Sequence, residues 1–205
     1  MQKKQVFYIH GGSSYSNYDD YVEDLRNQPL RSAPDEPVVE KWPSTLRSAL
    51  GGDYQVLMPS FPNSNNAKYK EWKIWFEKHF EYLHDDIVMV GWSQGGYFLA
   101  KYLSENKVPF QINALFLLAA PIMPDDFGGE DGGDFQFDSA LLPNLAKQSK
   151  NITIMHSTDD FVVPYEHALK YKAALPEAEL VTFTDKNHFL VEELPELVER
   201  IKSLN

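Results

Sequence analysis

The chain is predicted to adopt an α/β fold, one domain built on a mainly parallel sheet of about six strands with helices on both faces. Three observations predict it. Six short apolar runs show little period-two alternation and read as strands covered on both sides. Longer segments between them carry apolar residues at three- and four-residue steps and read as helices. The 205 residues suffice for one substantial core, whereas two domains would each be small.

In chain order, Val6–Ile9 is the first expected strand, and Gln28–Glu40, with Pro29, Pro34 and Pro37, is expected to be a loop. A helix over Trp42–Leu50 and a strand over Gln55–Met58 follow. Lys68–Leu83 has the clearest helical pattern, with Trp72, Trp75, Phe76, Phe80 and Leu83 on one stripe expected to face the core. Then come the strand Ile87–Val90, the helix Gln94–Asn106 and the strand Ala114–Ala119. Residues 124–138 hold Gly128, Gly129, Gly132 and Gly133 among six acids, with Phe127, Phe135 and Phe137, and are expected to form a lid or surface excursion. The remaining elements are the helices Ser139–Gln148, Tyr165–Leu175 and Val191–Leu204 and the strands Ile152–His156 and Leu180–Phe183. Pro164 and Pro195 both suit helix starts. Residues 1–205 are thus expected to form a single domain.

Composition excludes several function classes. Lysine plus arginine is 19 against 30 acids, a formal charge of −11. Such a surface repels phosphate backbones and anionic lipid headgroups, so neither a nucleic acid nor a membrane is an expected partner. There are no cysteines, which excludes disulfides, thiolate metal sites and cysteine nucleophiles. The early apolar run Val6-Phe7-Tyr8-Ile9 stops at His10-Gly11-Gly12. It falls short of the roughly 7–15 apolar residues of a signal-peptide core and the roughly 20 of a membrane helix, so a cytoplasmic protein is expected. The acidic run Glu130-Asp131-Gly132-Gly133-Asp134 lacks the alternating acids of a calcium loop, and no metal site is expected.

The run Ile87-Val88-Met89-Val90-Gly91-Trp92-Ser93-Gln94-Gly95-Gly96 is an apolar strand ending in G-x-S-x-G before a helical pattern. A serine on such a sharp strand-to-helix turn projects its hydroxyl above the sheet. Gly91 and Gly95 let the crowded backbones approach without side-chain clash. The helix that follows aims its free N–H groups and partial positive charge at Ser93. The N–H of Gln94 is therefore a candidate donor to an oxyanion.

A serine hydroxyl needs a base, and the base an acid to hold its tautomer. Of the six histidines, His79 and His84 fall in or just after the aromatic helix, and His167 in a helix expected at the surface. His156 ends a strand, and His10 is expected to prop its own loop. His188 stands instead in a loop between the last strand and the last helix, at the sheet end where α/β proteins place their chemistry. Asn187 beside it tolerates positive φ and allows a tight turn. For the acid, the strand Ile152–His156 leads into Asp159-Asp160, either of which can orient His188 while the other caps the turn. The order Ser…Asp…His then fits one known arrangement of these groups. The second oxyanion donor is expected from the loop after the first strand, as the N–H of Gly12 or Ser13.

These features resemble the α/β-hydrolase superfamily, and specifically its small cytoplasmic serine hydrolases of the YdeN type, which include the retinoblastoma-binding serine hydrolase. The likeness spans nearly the whole chain through the early H-G-x loop, the elbow, D-D-x-x-V-P and the late H-F. It implies the α/β-hydrolase fold and a Ser93-Asp160-His188 triad without metal or organic cofactor. The choice of Asp160 comes from the resemblance, in which the acid stands four residues before the proline, here Pro164. The chain departs from the pattern at Asn187, where glycine is common, and in its long segment Gln28–Glu40. Gly91–Gly96 is also similar to the elbow of acyl-protein thioesterases and carboxylesterases.

The expected activity is hydrolysis of carboxylic esters or thioesters through an acyl-enzyme, with Ser93, His188 and Asp160 catalytic and Gln94 and Gly12 binding the oxyanion. The partner is then a small ester or acyl substrate. Trp92, Phe161 and Phe189, with Phe127 and Phe135, flank these elements and are candidates to line an apolar pocket. Two alternatives remain, a noncatalytic binding protein on a hydrolase scaffold and a serine hydrolase that cleaves amides.

Overall fold

The computed structural model describes residues 3–28, 41–122 and 131–204. Expectations for residues 29–40 and 123–130, including Phe127, Gly128 and Gly129, lie outside the described residues. In the described chain, six strands form one sheet in the order β2-β1-β3-β4-β5-β6. They are β1 (Lys4–Ile9), β2 (Tyr54–Leu57), β3 (Ile87–Trp92), β4 (Ile112–Leu118), β5 (Ser149–Ser157) and β6 (Glu179–Phe183). Every neighbouring pair is parallel, and the register sets Tyr8 beside Val90 and Gly91 beside Leu117.

The missing alternation in the apolar runs has a direct cause: both faces of the sheet are covered. Phe7, Ile9, Met89, Leu115, Leu117 and Ile154 belong to one core cluster. There they pack with Trp72 and Phe76 of α3 (Tyr69–Lys78) and with the almost wholly buried α4 (Gln94–Glu105). The same cluster takes Leu142 of α5 (Leu142–Ala146) and Tyr171 of α6 (Glu166–Ala174). The alternate residues Val6, Tyr8, Val88, Val90 and Phe116 belong to the second cluster. Trp42 and Leu46 of α2 (Trp42–Leu50) and Leu197 and Ile201 of α7 (Pro195–Ser203) cover them.

The structure departs from the expected elements in four places. A further helix, α1 (Tyr18–Asn27), follows the first loop, capped by Asn17, whose Oδ1 accepts the Asp19 N–H at 2.9 Å. It buries none of its side chains, so no apolar stripe announced it. The aromatic helix ends at Lys78 and passes into a 3₁₀ turn at Phe80–Tyr82, and within the helix Trp75 stands at the rim of the face that buries Trp72 and Phe76, 37% exposed. His167 is buried rather than at the surface, and its Nδ1 accepts the Ile122 N–H at 2.9 Å. The described part of the expected excursion is fastened to the body. Phe135 is fully buried against Trp72, and Asp131 and Asp134 accept the backbone N–H groups of Ser16 and Tyr69.

Candidate active site

Four loops leave the C-terminal ends of β1, β3, β5 and β6 on the same edge of the sheet, the place where parallel α/β sheets bind ligands. They carry the residues around Gly12, Ser93, Asp160 and His188. Ser93 has φ +53° and ψ −121° between β3 and α4. A non-glycine residue with such a backbone costs about 1–3 kcal/mol, which its surroundings must offset. Its N–H donates to Leu118 O at 2.8 Å and its carbonyl accepts the Tyr97 N–H at 3.0 Å. The flanking glycines have distinct tasks. A β-carbon on Gly91 would stand 2.7 Å from Gly95 O, so Gly91 admits α4 against its own strand. One on Gly95 would stand 2.2 Å from Ile9 O, so Gly95 admits α4 against the end of β1.

The loop after β1 lies directly over this turn. A β-carbon on Gly11 would meet Ser93 Cβ at 3.3 Å, and one on Gly12 would meet Ser64 O at 2.5 Å. His10 fastens the loop from both ring nitrogens. Nδ1 donates to Gly11 O at 2.6 Å and Nε2 accepts the Phe61 N–H at 2.8 Å, so His10 is a neutral prop. The Ser13 N–H is already given to Ser64 O at 2.8 Å, which leaves Gly12 of the two expected donors. Gln94 lies at the start of α4, where the first N–H groups have no intrahelical acceptor. Its buried side chain donates to Ser14 Oγ at 3.2 Å and ties the helix start to the same loop.

The two adjacent aspartates divide their work. Asp160 Oδ2 lies 2.8 Å from His188 Nδ1, while Asp160 Oδ1 accepts the N–H groups of Val162 and Val163 at 2.8 and 2.9 Å. Asp159 Oδ1 accepts the Asn187 N–H at 3.0 Å and the Ser157 hydroxyl, and so braces the turn that carries the histidine. Asn187 takes the positive φ expected of it, +47°. Burial alone would raise the Asp160 carboxyl; hydrogen bonds from His156 and His188, the His188 charge and the Val163 N–H outweigh it and hold the group well below the usual carboxylate range. An ionised Asp160 accepts a hydrogen bond from Nδ1–H, so neutral His188 carries its lone pair on Nε2.

Ser93, His188, Gly12, Gln94, Trp92 and Phe161 all line one cleft of about 700 Å³. Trp92 also fastens the histidine loop, its Nε1 donating to His188 O at 3.0 Å. Phe189 does not line the cleft. It is fully buried edge-on against Phe183 at 5.6 Å, because its positive φ and the closure of the last loop turn it into the core. Phe135 is in the core as well. Sequence reasoning missed Tyr21 and Leu25 of α1, which form one wall, and the only sequence signal for them is Asn17 followed by Asp19 and Asp20. It also missed the tie between His156 and the acid, for His156 Nε2 lies 3.3 Å from Asp160 Oδ2.

No family model and no curated protein matches the chain in sequence. Solved structures do match it in shape. The ydeN gene product from B. subtilis superposes with a TM-score of 0.75 at 18% identity, over 98% of each chain. A serine hydrolase from the polyaromatic-hydrocarbon-degrading bacterium Cycloclasticus zankles gives 0.63 at 13% identity, over 98% of this chain and 88% of the other. A putative YdeN-like hydrolase from Pectobacterium atrosepticum gives 0.61 at 11% identity, over 99% and 91%. Likeness at such identities speaks for architecture, and with the parallel six-stranded sheet it establishes that the chain has the α/β-hydrolase fold.

Proposed function

We propose that the protein is a serine hydrolase that cleaves carboxylic esters or thioesters through an acyl-enzyme. The observation that carries this reading is the strained Ser93 turn sharing a cleft with His188, whose Nδ1 is held 2.8 Å from Asp160. Ser93 Oγ attacks the substrate carbonyl carbon while His188 Nε2 takes its proton. The N–H groups of Gln94 and Gly12 bind the oxyanion, each such donor being worth about 3–4 kcal/mol. Collapse expels the alcohol or thiol, which takes the proton back from His188. Water then attacks the acyl-enzyme, again losing its proton to His188, and the carboxylic acid leaves as Ser93 is restored. These steps require no metal or organic cofactor.

The cleft mouth bears on the substrate. Leu25, Phe161, Val162 and Leu190 line it and are exposed, Phe161 to 71%. Apolar side chains exposed together there fit an apolar substituent on the substrate. The fold shared with a serine hydrolase and with YdeN-like hydrolases supports the reaction class.

A fluorophosphonate probe, which phosphonylates activated serines, tests the reading directly. Wild-type protein is expected to label stoichiometrically, Ser93→Ala not at all, and His188→Ala far more slowly. A folded wild-type protein that stays unlabelled would leave only a noncatalytic role for the scaffold.

A further inference from the structure

Asp160 faces four N–H groups within 3.3 Å, and only one of them belongs to His188. Two are the backbone groups of Val162 and Val163 on Oδ1. The fourth comes from His156, a residue of β5 whose side chain is 1% exposed. Its Nε2 lies 2.8 Å from Val163 O and 3.3 Å from Asp160 Oδ2. A carbonyl oxygen can only accept, so Nε2 carries the proton and faces the carboxylate as a donor. One N–H shared between two acceptors is an ordinary three-centre arrangement. His156 thereby closes a ring that takes in the strand end, the acid and the backbone of Val163.

We propose that His156 is a positioning residue of the site, holding the Asp160 carboxylate against His188 and sharing the charge that Asp160 presents to it. The proposal rests on reading Ser93, Asp160 and His188 as a catalytic triad. Three other ionisable groups near this turn, Asp159, Lys186 and Tyr165, have partners of their own. Asp159 binds Asn187 and Ser157, Lys186 pairs with Glu196 at 3.3 Å, and the Tyr165 hydroxyl bonds to Thr182 Oγ1 at 2.6 Å. Among the described residues, His156 and His188 are therefore the side chains that share Asp160 Oδ2.

The sign of the effect follows. A donor on Oδ2 draws part of the carboxylate charge to itself and weakens the hold on a protonated His188. His156 is thereby expected to favour the neutral form of His188, the one able to act as base. Without it, Oδ1 still anchors the carboxylate through two backbone N–H groups, and the freed charge favours protonated His188. The direction is the same whether His156 itself is neutral or protonated.

The test pairs His156→Met, which fills the space without a donor, with His156→Gln, whose Nε2 restores one. In ¹⁵N NMR of the wild type, His156 is expected to be protonated at Nε2; an Nδ1-protonated tautomer would overturn the proposal without any variant. In His156→Met the His188 titration is expected to move up by about one unit. That lowers kcat/KM about tenfold on the acid limb and leaves the alkaline plateau within about twofold. His156→Gln should return both to wild-type values. A folded Met variant with an unmoved His188 titration, or Gln and Met variants shifted alike, would refute it. The titration needs no substrate, so it decides this proposal even if the protein fails to label with fluorophosphonate.

Discussion

Each oxygen of Asp160 faces two donors, Val162 and Val163 on one side and His188 and His156 on the other. An asparagine there must turn its NH₂ toward one of those pairs, and donor then meets donor. The relief open to it is a flip of the His188 proton to Nε2, which removes the lone pair that would take the Ser93 proton in the proposed mechanism. Asp160→Asn is therefore expected to lower kcat by about 10³–10⁴ on a p-nitrophenyl ester. Asp159 receives the Asn187 N–H and the Ser157 hydroxyl on a single oxygen, which an asparagine keeps. Asp159→Asn should cost less than about tenfold, and a larger loss there than at 160 would reverse the assignment of the acid. At this scale the sequence was most legible where backbone geometry restricts the residue. Gly91, Gly95 and Asn187 mark turns that few side chains tolerate, and they point to Ser93 and His188. Asp159 and Asp160 are equivalent as letters and differ only in which way the turn aims each carboxylate. His156 and Phe189 were opaque for the same reason: burial and direction are set by packing from β5, β6 and α7, which no local pattern encodes.

The elements read from the sequence were those that bury a face. β1, β3 and β4 are covered on both sides, so their apolar runs stand out, and α2 shows its buried Trp42, Leu46 and Leu50 at helical spacing. α1 has no buried residue and was assigned to no element from the sequence, yet it supplies a wall of the cleft through Tyr21 and Leu25. A helix with no core face gains little from tertiary packing. Under the proposed function, its 53%-exposed Leu25 is contact surface for the substrate. Leu25→Asp should leave stability within about 0.5 kcal/mol, as for other exposed positions. It should lower kcat/KM for p-nitrophenyl octanoate at least about fivefold more than for the acetate, since each methylene withdrawn from water is worth about 0.8 kcal/mol. Equal losses on the two esters would mean that α1 does not meet the acyl chain.

At the scale of the whole molecule, the parallel sheet was legible because short apolar runs alternate with helices, a rhythm that returns the chain to the same end of the sheet. The strand order β2-β1-β3-β4-β5-β6 was not, because the side to which each crossover turns leaves no mark in composition. Net charge acts at this scale too, and it opposes the fold. At −11, the compact state gathers like charges that the unfolded chain spreads apart. The surface ion pairs offset little of this: Lys150–Asp86 is 54% and 65% exposed and Arg200–Glu179 33% and 55%, and such pairs contribute about 0–1 kcal/mol each. Salt should therefore stabilise the protein. Raising KCl from about 0.1 to 1 M shortens the screening length from about 10 to about 3 Å, which quenches repulsion across the surface. The contacts of Asp160 with His188 and His156 are buried and within 3.3 Å, and escape that screening. The melting temperature should accordingly rise by several degrees while the pH profile of kcat/KM stays in place. A melting temperature that falls with added KCl would show that specific ion pairs, rather than net repulsion, dominate the surface electrostatics.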